Sequence, residues 1–124
     1  MMLTSTCNTA VMMRLPPGEP VIVTGSPGGS RIITAVLQVL LNVIDYRMSI
    51  AEAVQAPRIH HQWMPDETMI EAAYPDAIAR ALAGRGHNVR IWPPFTAVPS
   101  IMATPQGLVG AADTRTRGAL AVGY

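Results

Sequence analysis

The stretch "VTGSPGGSRII", Val23 to Ile33, joins a strand-like run to a helix-like one through two adjacent glycines. Such a junction can hold an anion. Glycine lets the backbone approach a ligand closely, N–H groups at a helix start point outward, and the helix dipole favours negative charge. Three uses of Gly28 and Gly29 follow. Phosphate binding is one, but no Lys follows the glycines as a P-loop requires, and the dinucleotide pattern G-x-G-x-x-G is absent. An oxyanion hole is the second, in which each backbone donor lowers the barrier to a tetrahedral intermediate by about 3 kcal/mol. A tight turn needing only glycine's conformational freedom is the third.

Other side chains with chemical potential read as structural. His60 and His61 are neighbours in an extended segment, where successive side chains point to opposite faces, so they cannot share one metal ion. Asp66 and Glu67 fall in the turn "MPDE", His87 follows a helix stop, and Asp113 with Arg115 suits an ion pair. Cys7 has no catalytic partner in view, and as the single cysteine it excludes an internal disulfide. The residues suggest neither a metal site nor a cofactor.

The elements that position the glycines are legible from patterning. Thr9 to Arg14 and Val21 to Thr24 read as strands around the turn "LPPGEP". Ser30 is the expected N-cap of a helix from Arg31 to about Tyr46. Its polar residues Thr34, Gln38, Asn42 and Asp45 form one narrow stripe, so the helix is expected to be covered on most sides. "SIAE", Ser49 to Glu52, is a capping box for a second helix ending near Ala56, before Pro57. "RIHHQW" reads as extended and "TMIE" as a strand. "YPDAIARALAGRGH" is a third helix, opened by Pro75 and Asp76 and stopped by Gly84 or Gly86. "NVRIW", "SIMAT" and "LVGAA" are further strands. The order suggests strands linked by hairpins, without crossover helices, and therefore an α+β fold with a mainly antiparallel sheet and three helices.

The bulk composition narrows the partners. Of the 124 residues, 49% are hydrophobic and 14% charged, an apolar balance for a soluble domain. The net charge of +1 gives no electrostatic footprint for nucleic acid. The greasy run Ile32 to Ile44 is interrupted by polar residues and shorter than the ~20 residues of a membrane span. No segment has the shape of a signal peptide, which leaves the compartment open. The chain moves from Met1-Met2 almost directly into strand-like sequence, as expected of one that starts within a domain.

The segments "GSPGGSRI", "NVIDY", "AEAVQAPRIHHQW", "MPDE" and "GLVGAADTR" closely resemble the small subunit of gamma-glutamyltransferases, also called glutathione hydrolases. The resemblance runs from Thr4 to Tyr124. It implies part of an αββα N-terminal-nucleophile hydrolase sandwich, with residues 1–124 as a single partial domain, the C-terminal part of that subunit. In this family a precursor cleaves itself, and the new N-terminal Thr attacks a gamma-glutamyl amide with its own amine as base. Water or an amino acid then releases the acyl group, and no cofactor is implied.

Carried over by the resemblance, Gly28 and Gly29 match the oxyanion-hole glycines. "LTSTCNT" resembles the family's "LSSMCPT", so Thr4 and Ser5 match the hydroxyls that bind the donor's alpha-carboxylate. No Thr of these residues sits in the family's nucleophile context. The resemblance therefore implies no turnover by this stretch alone, and a need for the large subunit and the N-terminal part of the small subunit. The substrate class it implies is gamma-glutamyl compounds such as glutathione. Two positions depart from the family: Arg47 stands where a Gly usually ends the helix, and "DTR" replaces "DPR" at Asp113 to Arg115. Two other functions remain open: a non-enzymatic remnant or small-anion-binding module, and part of a related amide acylase.

Overall fold

The computed structural model describes residues 9–15 and 19–122, with side chains from residue 21 onward. Contacts divide the chain into two compact units, one of Met1–Ala56 with Thr96–Tyr124 and one of Pro57–Phe95.

The first unit is built on a four-stranded sheet. Strands β1 (Thr9–Leu15), β2 (Glu19–Ser26), β6 (Ser100–Thr104) and β7 (Gly107–Ala111) lie side by side in that order, every pair antiparallel. Burial alternates along β2, because successive side chains face opposite sides of a sheet. Ile22, Thr24 and Ser26 are buried, whereas Val23 is exposed. The buried hydroxyls of Thr24 and Ser100 stand opposite each other in register and bond at 2.8 Å, so neither is stranded in the core.

Helices α1 (Arg31–Ile44) and α2 (Ile50–Gln55) belong to the same unit. Ile32, Ala35, Val36, Val39 and Val43 of α1 join Ile22, Ile50, Ala53, Val54, Val98 and Ala111 in one apolar core. The spacing of the α1 set is the 3.6-residue period of one helix face. The helix is not covered on most sides, as its composition suggested. Ile33, Leu37, Leu41 and Ile44 form a second apolar stripe that is exposed, Ile33 by 74%.

Helix α2 has only six residues, too short to hold by propensity, and is fastened at both ends. The expected capping box is present: the Glu52 N–H donates to Ser49 Oγ at 3.2 Å, and Ser49 N–H donates to Glu52 Oε2 at 2.9 Å. The hydroxyl of Ser49 also donates to Glu52 at 2.7 Å, and these bonds hold the Glu52 carboxyl below its ordinary range. At the other end Ala56 turns extended ahead of Pro57.

The second unit holds strands β3 (Ile59–His60), β4 (Thr68–Glu71) and β5 (Val89–Trp92) and helix α3 (Asp76–Gly84). Strands β3 and β4 are antiparallel, but β4 and β5 are parallel. The expectation of hairpin links without crossover helices fails here. Helix α3 returns the chain to the starting edge, which a parallel pair requires and a short turn cannot supply. The Glu71 carboxylate is buried and accepts the N–H of Arg58 at 3.1 Å and that of Phe95 at 2.9 Å, near the two ends of this unit. Burial, and secondarily the charge of Glu71, pushes the Tyr74 phenol up.

Candidate active site

Gly28 and Gly29 sit in the turn between β2 and α1, and residues 27–30 are exposed. Their backbone φ values are +132° and +63°, in the region that side-chain-bearing residues rarely adopt. The Ile32 N–H donates to the Gly29 carbonyl at 3.1 Å, so the helical hydrogen bonding starts at the second glycine.

Ser30 does not act as the expected side-chain cap. Its backbone is already helical, with φ −59° and ψ −26°, and its hydroxyl makes no capping bond. A capping hydroxyl reaches the N–H groups of the first turn from an extended backbone, which Ser30 lacks. The reversal is made one residue earlier, by Gly29.

The two glycines differ in their surroundings. A methyl group on Gly28 would stand 3.0 Å from Thr96 Oγ1 and 3.2 Å from Thr96 Cγ2. A methyl group on Gly29 would meet nothing within 4 Å. Thr96, half-buried and at φ +58°, is the neighbour that sequence reading missed. Nothing in "PPFTAVP" except its position in a proline-rich loop hints at a left-handed Thr. Thr4, Ser5 and Cys7 lie outside the described residues.

The remaining polar residues take structural partners. His60 is buried with Nε2 3.0 Å from Gln62 Oε1, whereas the more exposed His61 places Nε2 3.1 Å from Asp66 Oδ1. The two imidazoles therefore serve different neighbours, as their adjacent positions implied. Glu67 pairs with Arg90 at 3.4 Å, and the Asp66 carbonyl accepts Asn88 Nδ2 at 3.0 Å, which is turn chemistry. Asp113 is fully buried and bonds Val98 N–H and Arg115.

The turn of two positive-φ glycines thus lies between a central strand of the sheet and the start of α1. The profile of the gamma-glutamyltranspeptidase family matches residues 2–123. The chain belongs to the gamma-glutamyltranspeptidase family. It is 46% identical to the glutathione hydrolase proenzyme of Escherichia coli strain K12 over 108 residues, covering 86% of this chain and 19% of that proenzyme. It is 41% identical to the acylase ACY 1 proenzyme of Pseudomonas sp. strain SE83, covering 88% of this chain and 20% of that one. A structure of the gamma-glutamyltranspeptidase from Pseudomonas nitroreducens complexed with L-DON superimposes with a TM-score of 0.83 at 31% identity. That likeness covers all of this chain and 65% of the other. The α+β fold with antiparallel pairing and three helices is thus that of an N-terminal-nucleophile hydrolase of this family. The chain spans about a fifth of the length of these two curated relatives.

Proposed function

We propose that these residues are the C-terminal part of a gamma-glutamyltransferase small subunit and supply the oxyanion hole of its active site. The observation that carries this reading is the conformation of the Gly28–Gly29 turn: two exposed, positive-φ glycines at the N-terminus of α1. In the reaction, a Thr hydroxyl from outside these residues adds to the gamma-carbonyl of a glutathione-like donor. The carbonyl oxygen becomes an oxyanion, and the N–H groups of the turn, aided by the helix dipole, stabilise it. Collapse expels the amine with a proton and leaves a gamma-glutamyl ester, which water or an amino acid then cleaves. Thr4 and Ser5 would bind the alpha-carboxylate of the donor.

The exposed stripe Ile33, Leu37, Leu41 and Ile44 supports the need for a complementary part of the enzyme. It also weighs against a self-sufficient anion-binding module. A second reading, part of an amide acylase, draws on the 41% identity to an acylase proenzyme. The same two donors would serve it, and only the amide would differ.

The test is hydrolysis of a gamma-glutamyl anilide by the 124-residue chain, by the chain mixed with an N-terminal fragment of a family member, and by a Gly28/Gly29 double variant in the mixture. Release on mixing that the double variant abolishes is the expected result. Release by the chain alone, lost in the variant, would place a nucleophile among these residues and sink the proposal. Release from other acyl amides, but none from the gamma-glutamyl anilide, would favour the acylase.

A further inference from the structure

Among the described residues, Arg47, Trp63 and Thr96 are the non-glycine residues with positive φ. Thr96 is the β-branched one, and branching at Cβ makes the left-handed region especially crowded. Such a conformation persists only where its surroundings over-determine it, and it clusters at functional sites. The surroundings of Thr96 are specific. Its side chain occupies the space into which a side chain at Gly28 would project, with Oγ1 and Cγ2 the nearest atoms.

The segment that follows Thr96 is rigidly held. Ala97 and Val98 are buried, and the Val98 N–H donates to Asp113 Oδ2 at 2.7 Å. Asp113 is in turn fixed by the Arg115 N–H at 2.9 Å and by the Arg115 guanidinium at 3.2 Å. Support therefore runs from Arg115 through Asp113 and Val98 to Thr96, and from Thr96 across to Gly28. A bare glycine turn explores both signs of φ, so something beyond the glycines must choose one geometry for their N–H groups.

We propose that Thr96 is a positioning residue for the Gly28–Gly29 turn. Its side chain, seated against Gly28, fixes the direction of the two backbone N–H groups. Its effect on turnover rests on the oxyanion reading above; its effect on the turn does not.

The experiment compares Thr96→Gly and Thr96→Ser in the full chain, with isotope-labelled glycine followed by amide NMR. Glycine tolerates the left-handed backbone, so Thr96→Gly removes the side chain without forcing a new strain. Serine keeps Oγ1. The expected result is that Thr96→Gly displaces or broadens the Gly28 and Gly29 signals while those of Gly84 and Gly118 stay, and that Thr96→Ser restores them. Unmoved Gly28 and Gly29 signals in Thr96→Gly overturn the proposal. The same variants are then mixed with the complementary fragment. A roughly tenfold to hundredfold loss of kcat with unchanged KM is expected for Thr96→Gly, the cost of misplaced catalytic groups. Displaced signals with full turnover support the positioning and overturn the oxyanion reading. Unmoved signals, with turnover still abolished by the Gly28/Gly29 variant, do the reverse.

Discussion

The Arg115 guanidinium lies 3.2 Å from the buried Asp113 carboxylate and, with the same group, ties down the end of α2. Nη1 donates to the Val54 carbonyl and Nη2 to the Ala56 carbonyl, each at 3.0 Å. The last carbonyls of a helix lack partners within it, and the negative end of the dipole gathers there, so a buried cation answers both needs. Gln55 and residues 112 and 114 complete the fastening. Gln55 Nε2 donates to the Ala112 carbonyl at 2.9 Å, and the Thr114 hydroxyl donates to Gln55 Oε1 at 2.6 Å.

Removing Asp113 therefore leaves a buried guanidinium without its counter-charge and the Val98 N–H without its acceptor. Asp113→Ala is expected to cost about 3–5 kcal/mol, as for breaking other buried pairs. Against a total stability of roughly 5–15 kcal/mol, that removes a large share of it. Urea denaturation followed by circular dichroism checks it; a midpoint within experimental error of wild type would contradict the account. Arg115→Lys keeps the charge but loses the fork that spans two carbonyls, and should fall between the two.

Glu52 gives a pH dependence. Its carboxyl is held below the ordinary value of 4.5 in the fold by the Ser49 hydroxyl and N–H. A depressed folded value means that the contribution is complete above 4.5 and is lost as pH falls through the lower folded value. The melting temperature of wild type should exceed that of Glu52→Gln at neutral pH, and the gap should close in acid. A gap that stays constant to low pH would show that the charge of the capping box does not matter.

Local physics made parts of this structure readable. The Ser49–Glu52 box needs only four consecutive residues, and it forms as expected. The strand Thr68–Glu71 has the bounds read from "TMIE". Ser30 departs from its expected capping role because N-cap preference describes a side chain, whereas Gly29 fixes the backbone first. The parallel β4–β5 pair was hidden because hairpin and crossover differ in where a strand docks, not in its own pattern. The uncovered stripe of α1 was half legible: "apolar on most sides" is in the sequence, and which side finds a cover is not. Thr96 was invisible, since its role depends on Gly28, far away in the chain.

Arg47 is a case where the sequence located a strained backbone. It stands where the family resemblance leads to the expectation of Gly, and its φ is +58°. A left-handed backbone costs a non-glycine residue about 1–2 kcal/mol, offset in part by the greater entropy that Gly loses on folding. Arg47→Gly is expected to stabilise the chain by about 0.5–1 kcal/mol. A thermal melt that moves down instead would mean that the Arg side chain contributes more than its backbone costs.

Gly28 and Gly29 should respond differently to the same substitution. Gly29→Ala adds a methyl group in open space, so only the backbone penalty applies, about 1 kcal/mol. Gly28→Ala carries a backbone penalty and also drives a methyl group to 3.0 Å from Thr96 Oγ1, for a total of about 2–3 kcal/mol. Turnover in the reconstituted mixture should follow the same order, with Gly28→Ala the more damaging. The double variant Gly28→Ala with Thr96→Gly separates the two costs. It should recover the steric part of the stability and none of the turnover, because the contact that sets the turn is then gone. Recovery of both would mean that the turn finds its catalytic geometry without Thr96.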